Sequence, residues 1–262
     1  MLRITEVVKH LLIINVLLFL ASMVFNLDIL SLHYIGSENF YPFQIATHFF
    51  MHGSFMHIAF NMFALWMFGS ALEALWGPKR FLFFYFACAL GAAALHTGFT
   101  YFDFSTVYNN MQAFQADPNY NTFWAFFNDT YLPKIEENKE IFRTLSNGVR
   151  AGDASAIAQS YQEMQSYYTE LKNNTRMLGA SGAVFGLLLA FGMKFPNMEL
   201  MLIFFPVPIK AKYFIPVLMV IELFLGVNQF SWDNIAHFAH LGGAITGFFL
   251  ILYWQKFGSR FE

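Results

Sequence analysis

Residues 10–27, near the start of the chain, read HLLIINVLLFLASMVFNL. These 18 residues contain no Asp, Glu, Lys or Arg. A hydrocarbon core of about 30 Å requires about 20 mostly apolar helical residues, so the segment predicts a membrane-spanning helix. It is long for the apolar part of a signal peptide, and Asn26-Leu27-Asp28 follows where small residues would precede cleavage. We therefore expect it to stay in the mature protein.

The composition of the whole chain agrees with this prediction. Its 262 residues are 57% hydrophobic and only 12% charged, whereas a soluble domain carries about 25% charged residues. The net charge of −2 provides no basic surface, so nucleic acid is excluded as a partner. The single cysteine, Cys88, excludes an intramolecular disulfide framework. A polytopic protein of the lipid bilayer remains.

Five further apolar stretches predict membrane spans, at residues 52–71, 81–102, 177–193, 213–232 and 234–255. Residues 200–209 are too short to span and contain two prolines, so we expect an interfacial connector there. The predicted fold is an all-α bundle of six transmembrane helices. If the spans alternate, one side collects most of the basic residues, namely Arg3, Lys9, Lys79, Arg80, Lys194, Lys210, Lys212, Lys256 and Arg260. The positive-inside rule then places both termini in the cytoplasm. Because the chain has one cysteine and no organelle transit peptide is recognised, we expect a bacterial inner membrane.

Residues 103–176, between the third and fourth spans, differ from the rest. They hold 15 of the 32 charged residues and predict a helical insertion on the extracytoplasmic side, serving as a structural cap or as a docking surface. The chain thus divides into residues 1–102, 103–176 and 177–262, which form one membrane domain overall.

Two amphipathic helices are predicted inside the insertion, at residues 133–145 and 153–171, with Asp153 or Ser155 capping the second. The aromatic run at residues 123–127 predicts a patch that lies on the membrane surface or over the helical bundle.

Polar residues within a bilayer are costly and therefore informative. Three clusters occupy the first turns of the second, fourth and sixth spans, which share one direction. They comprise His48, His52, His57 and Asn61, then Gly179, Ser181 and Gly182, then His237, His240 and Gly243. At about 1.5 Å per residue, Ser181 and His240 descend about 7 and 10 Å from the start of their spans. The two side chains are therefore predicted to meet.

Glycines support a close approach of the two helices. Gly182 and Gly186 form a small-xxx-small face on the fourth span, and Gly243 and Gly247 form another on the sixth. The same faces are also typical of ordinary helix packing.

A serine beside a neutral histidine is the pair that nucleophilic acyl transfer requires. We predict Ser181 as the nucleophile and His240 as its base. The sequence places no Asp or Glu close enough to predict a third member, so a dyad is expected. His57 and Asn61 share one helix face, and with the Ser181 N–H they can donate to an oxyanion.

Simpler structural roles remain open for each of these residues. Ser181 can bond to its own helix backbone, and His57 with Asn61 can join two helices. His237 is expected to form a hydrogen bond or line a water-filled space. His48 and His52 are expected to be structural.

The acidic residues of the spans enter no predicted site. Glu73 is expected to organise a cytoplasmic turn, and Glu222 to be neutral or hydrogen-bonded. No metal or cofactor is predicted, because HExxH is absent and no acidic ligand accompanies the histidines.

These motifs together resemble the bacterial members of the rhomboid family of intramembrane serine proteases. The matching residues are His52-x4-His57-x3-Asn61, Gly69-x3-Glu73, Gly179-Ala180-Ser181-Gly182 and Ala239-His240-x2-Gly243-x3-Gly247. The resemblance implies a Ser181–His240 dyad assisted by His57 and Asn61, and favours His240 over His237 as the base. It implies single-pass membrane proteins as substrates, cut in or near the membrane after a small residue.

Some residues depart from the family pattern. Tyr41-Pro42-Phe43-Gln44 stands near the place of a common Trp-Arg pair. Phe185 replaces a tyrosine that stacks on the catalytic histidine in some members, which keeps the stacking face and loses the hydroxyl. The insertion is also longer than the usual loop.

Two other functions compete with a peptidase. A catalytically silent relative that binds membrane clients would typically lack the serine or the histidine, and this chain has both. A transporter would place polar groups near the midplane, whereas these lie near one surface. The sequence leaves the oligomeric state open.

Overall fold

The computed structural model describes residues 3–130, 139–202, 205–228 and 235–257. Its helices form two compact units. The first unit comprises Met1–His33, Phe40–Thr97 and Arg176–Glu262, and the second comprises Tyr34–Asn39 and Gly98–Thr175.

The chain is a polytopic all-α membrane protein. The helices that match the six predicted spans belong to the first unit, except for the later part of Pro78–Ala116, which belongs to the second. Four of them are long and apolar enough to cross a membrane: Phe55–Trp76, Pro78–Ala116, Ala211–Asn228 and His237–Phe257. The first and fourth predicted spans are shorter helices, α1 (Glu6–Ser22) and one at Ser181–Lys194. The second is α3 (Phe55–Ala64), a π-helical turn (Leu65–Gly69) and α4 (Ser70–Trp76).

The remaining elements follow in chain order. Between the first two spans lie a 3₁₀ turn (Asp28–Leu30), strand β1 (Leu32–His33), α2 (Gln44–Thr47) and a 3₁₀ turn (His48–Phe50). After them come α5 (Pro78–Ala116), α6 (Tyr120–Thr130), α7 (Lys139–Ala151), α8 (Ala154–Asn174), strand β2 (Arg176–Met177), α9 (Ser181–Lys194), strands β3 (Glu199–Leu202) and β4 (Phe205–Lys210), α10 (Ala211–Asn228) and α11 (His237–Phe257).

Helix α1 begins before the predicted span because a distant carboxylate caps it. The first backbone N–H groups of a helix have no acceptor within the helix. Glu73 on α4 accepts hydrogen bonds from the N–H groups of Val7 and Val8, both at 2.9 Å, and from the Thr5 hydroxyl. Glu73 therefore joins the second span to the first, a role beyond the expected one in a local turn.

Two short antiparallel pairings lie outside the helices. Strand β1 pairs with β2, with Leu32 opposite Met177. Strands β3 and β4 form a hairpin where an interfacial connector was expected, with Leu200 opposite Ile209. The predicted connector was correctly kept out of the helices, but its strand pairing was not foreseen.

Helices α9 and α11 pack through glycine, as predicted. A side chain on Gly243 would overlap the Gly182 carbonyl. A Cβ on Gly247 would lie 3.2 Å from the Gly186 carbonyl oxygen. Glycine at these positions lets the two backbones approach far enough for short side chains to meet.

The second unit has its own hydrophobic core, formed by α6, α7, α8 and the later part of α5. Asp153 caps α8 by accepting from the N–H groups of Ser155 and Ala156. The first helix predicted for the insertion, at residues 133–145, overlaps α7 from Lys139 onward. Its predicted start falls on residues 131–138, which lie outside the described residues.

The membrane-surface patch predicted for the aromatic run of the insertion was wrong. Phe123, Phe126 and Phe127 are fully buried in the core of the second unit. Their i, i+3 and i+4 spacing turns them onto one face of α6, and α7 and α8 cover that face.

Candidate active site

Ser181 and His240 meet as the sequence predicted. Ser181 is the first residue of α9, and His240 lies in the first turn of α11. The Ser181 Oγ is 2.9 Å from the His240 Nε2, within hydrogen-bonding distance. His240 is 8% exposed, so its ring is held inside the bundle.

An aromatic ring fixes the plane of the His240 imidazole. Phe185, one turn after Ser181 on α9, stacks on it with the ring centroids 4.1 Å apart and the planes 6° from parallel. The stacking expected for Phe185 is thus present, without a hydroxyl.

Glu222 on α10 is the principal site residue that the sequence analysis missed. Its Oε2 lies 2.8 Å from the His240 Nδ1 and 2.7 Å from the His237 Nδ1. Glu222 is thus hydrogen-bonded, as expected, but the sequence did not predict that its partner would be the histidine of the dyad. Glu222 precedes His240 by 18 residues on another helix, and the face that α10 turns toward α11 could not be read from the spacing of its residues. The available signal was a lone carboxylate within an apolar span, which needs a polar partner.

His237 forms the hydrogen bond that was expected of it, with Glu222 as the partner. It is the first residue of α11 and is 5% exposed. His237 and His240 are spaced i, i+3, so both rings reach the same carboxylate oxygen.

His57 and Asn61, the two predicted oxyanion donors, lie on α3. A Cβ added to Gly179 would lie 2.6 Å from the His57 Nε2 and 3.7 Å from the Ser181 Oγ, so His57 borders the serine. Gly179 has φ +115°, a conformation that side chains rarely adopt, and glycine therefore suits both the backbone and the space. The Asn61 Nδ2 is buried and has no hydrogen-bond partner within the described part of the chain.

The loop before Ser181 is anchored by His48. The His48 carbonyl accepts the Gly179 N–H at 3.0 Å, and its ring Nδ1 is 2.9 Å from the Gln44 carbonyl oxygen. His52 packs against His57 with the ring centroids 5.0 Å apart. Within the described part of the chain, neither histidine ring forms a hydrogen bond with Ser181, in keeping with the structural roles expected of them.

Glu222, His237 and His240 also bring three metal-ligand atoms within 4.8 Å of one another. An acidic ligand does accompany two of the histidines, contrary to the sequence-based argument against a metal. Ligand atoms around tetrahedral zinc lie about 3.3 Å apart, given bonds of about 2.0 Å. The contacts of 2.7 and 2.8 Å from the Glu222 Oε2 are shorter and have the geometry of hydrogen bonds.

The chain is similar to a known protein family. A family model described as the rhomboid domain matches residues 39–106 and 132–257, which is most of the chain. No curated protein gives a significant match. The matched ranges include Asn61, Ser181, Glu222 and His240. With the polytopic helical fold and these motifs, the match shows that the chain belongs to the rhomboid family.

Proposed function

We propose that this membrane-embedded rhomboid-family protein is a serine endopeptidase that cleaves membrane-protein substrates in or near their transmembrane segments. The observation that carries the proposal is the 2.9 Å contact between the Ser181 Oγ and the His240 Nε2. A serine hydroxyl is a weak nucleophile until a neighbouring base removes its proton. The contact supplies that base within a membrane bundle.

The reaction proceeds through an acyl-enzyme. The Ser181 oxygen attacks the scissile carbonyl carbon while its proton passes to the His240 Nε2. His240 then gives the proton to the leaving amine as the C–N bond breaks, which leaves an ester on Ser181. Water, deprotonated by the same nitrogen, hydrolyses the ester and restores both residues.

Three donors serve the oxyanion in this proposal. Ser181 begins α9, so its backbone N–H has no acceptor within the helix and lies at the positive end of the helix dipole. The Asn61 Nδ2, buried without a described partner, supplies the second donor. The third is the His57 Nε2, which borders Gly179 and Ser181. Donors that are placed in advance lower the barrier because no reorganisation is needed during the reaction.

Membership of the rhomboid family supports single-pass transmembrane proteins as substrates, with the bilayer as their common medium. The distribution of basic residues supports cytoplasmic termini. The resemblance of the motifs to bacterial members of the family supports the inner membrane of a bacterium. The insertion at residues 103–176 then lies on the extracytoplasmic side, as a structural cap or as a docking surface.

A cleavage assay tests the proposal. The purified protein in detergent is given a fluorogenic transmembrane substrate, and wild type is compared with Ser181→Ala and His240→Ala. Each substitution is expected to lower kcat by about 10⁴-fold or more, and the double variant by little further, because the residues act as one unit. A wild type without activity would favour a silent client-binding protein, and equal activity of all variants would exclude the dyad.

A further inference from the structure

We propose that Glu222 is the positioning residue of the Ser181–His240 pair and fixes the tautomer in which His240 can act as a base. The inference rests on the proposed peptidase function and extends the dyad to a serine, histidine and glutamate series with His237 beside it. Glu222 itself forms and breaks no covalent bond.

The hydrogen bonds of His240 carry the inference. A neutral imidazole has one protonated nitrogen, which donates, and one bare nitrogen, which accepts. An ionised carboxylate only accepts. With the Glu222 Oε2 at 2.8 Å from the His240 Nδ1, the ring proton lies on that nitrogen. The Nε2, 2.9 Å from the Ser181 Oγ, is then bare and free to take the hydroxyl proton.

His237 explains how a carboxylate is held at this depth. A buried charge is unfavourable unless it is paired and hydrogen-bonded. His237 provides a second donor to the same oxygen at 2.7 Å. Because His237 is the first residue of α11, the positive end of the helix dipole also faces Glu222 and favours its ionised form.

The placement of Glu222 on α10 agrees with a role inside the bundle. Its helix neighbours Val220, Leu223 and Phe224 are 66%, 50% and 58% exposed, as expected of a face that contacts lipid. Glu222 is only 7% exposed and therefore lies on the opposite side, against α11.

Gly226 brings the two helices together one turn after Glu222. A Cβ added there would lie 3.0 Å from the His237 Cβ, tighter than ordinary packing. Without a side chain at this position, the start of α11 can approach α10 closely enough for two short imidazole contacts.

Three constraints thus fix the His240 ring. Ser181 binds one nitrogen, Glu222 binds the other, and Phe185 stacks on the face. Loss of Glu222 leaves the ring in place but allows the proton to move to the Nε2, where it blocks proton transfer from the serine.

The test compares Glu222→Gln with Glu73→Gln. Both substitutions replace a buried membrane carboxylate by an isosteric amide, but Glu73 lies away from Ser181. Glu222→Gln is expected to lower kcat by about 10²- to 10⁴-fold with little change in KM, and to slow labelling of Ser181 by a fluorophosphonate in proportion. Glu73→Gln is expected to keep the wild-type kcat per folded molecule.

A spectroscopic signature separates positioning from folding. The ¹⁵N resonances of His240 are expected to show the proton on the Nδ1 in wild type and a mixture of tautomers in Glu222→Gln, at similar melting temperatures. Labelling in isolated membranes, normalised to the amount of protein, gives the same comparison without purification.

The outcomes distinguish the inference from the proposed function. If wild type cleaves, Ser181→Ala does not, and Glu222→Gln matches wild type, the positioning role is wrong and the dyad stands. If the wild type neither cleaves nor labels, the peptidase function itself fails. Loss of wild-type activity on chelation, with recovery on addition of Zn²⁺, would also overturn the inference, because Glu222, His237 and His240 would then be metal ligands.

Discussion

Two buried glutamates show how one side chain serves different purposes in the same bundle. Glu73 and Glu222 are 5% and 7% exposed. Glu73 binds backbone N–H groups at the start of α1 and belongs to a capping cluster with Thr5, Val7 and Val8. Glu222 binds two imidazoles and belongs to a serine cluster, which we define as Ser181, Glu222, His237 and His240.

The difference lies in the partners. A backbone N–H bound to a carboxylate has no second function, so the capping cluster stabilises the fold. An imidazole bound through its Nδ1 keeps a second nitrogen that can react. Burial of a carboxylate in a membrane span therefore indicates that it has a polar partner. The chemistry of the groups that donate to it indicates its role.

Asn61 is a predicted oxyanion donor, and its substitution is expected to have a larger effect than the substitutions of Glu73 and Thr5. The capping carboxylate has several donors, whereas the Asn61 Nδ2 is buried with no partner among the described residues. If the Asn61 Nδ2 donates to the oxyanion during the reaction, Asn61→Ala should lower kcat by about 10²-fold or less, because other donors remain. Steady-state kinetics with the transmembrane substrate measures the fall in kcat. Unchanged kcat with lower stability would make Asn61 a packing residue.

Glu73→Gln tests the contribution of the capping cluster to stability. An amide can present its NH₂ group to the Val7 and Val8 N–H donors, so the cap is weakened. We expect a loss of about 1–3 kcal/mol in the free energy of unfolding. Denaturation in mixed micelles measures the loss, with Glu222→Gln as the matched control. A fall in kcat per folded molecule would show that the two clusters are not separable.

Thr5→Val is the smallest change. It removes one hydroxyl bonded to the Glu73 carboxylate and keeps the shape of the side chain. The Val7 and Val8 bonds remain, so the expected loss of unfolding free energy is about 1 kcal/mol. Thermal unfolding of the purified variant is sufficient to detect it. A larger loss than in Glu73→Gln would show that Thr5 stabilises the bundle by some other contact.

The sequence predicted the spans and the meeting of Ser181 with His240 for a simple physical reason. Charges are excluded from the hydrocarbon core, so the gaps between them predict where helices lie. Helices of one direction then bring their first turns to one depth. The shorter and shifted bounds of α1 and α9 arise from local capping and from the loop before Ser181, which charge gaps do not encode.

The partners of Glu222 and of the aromatic residues in the insertion were beyond the same reasoning. Glu222 reaches His240 because α10 is rotated with that face toward α11 and because Gly226 permits a close approach. Phe123, Phe126 and Phe127 pack within the second unit because α7 and α8 cover them. In both cases an apolar or polar face was visible in the sequence, but its partner depended on packing.

Covalent modification of Ser181 tests whether its hydroxyl is an activated nucleophile. The protein in membranes is treated with a fluorophosphonate, digested and analysed by mass spectrometry. We expect an adduct on the peptide that contains Ser181, abolished in Ser181→Ala and strongly reduced in His240→Ala. Cleavage of substrate by a wild type that carries no adduct on Ser181, or equal labelling in His240→Ala, would contradict it.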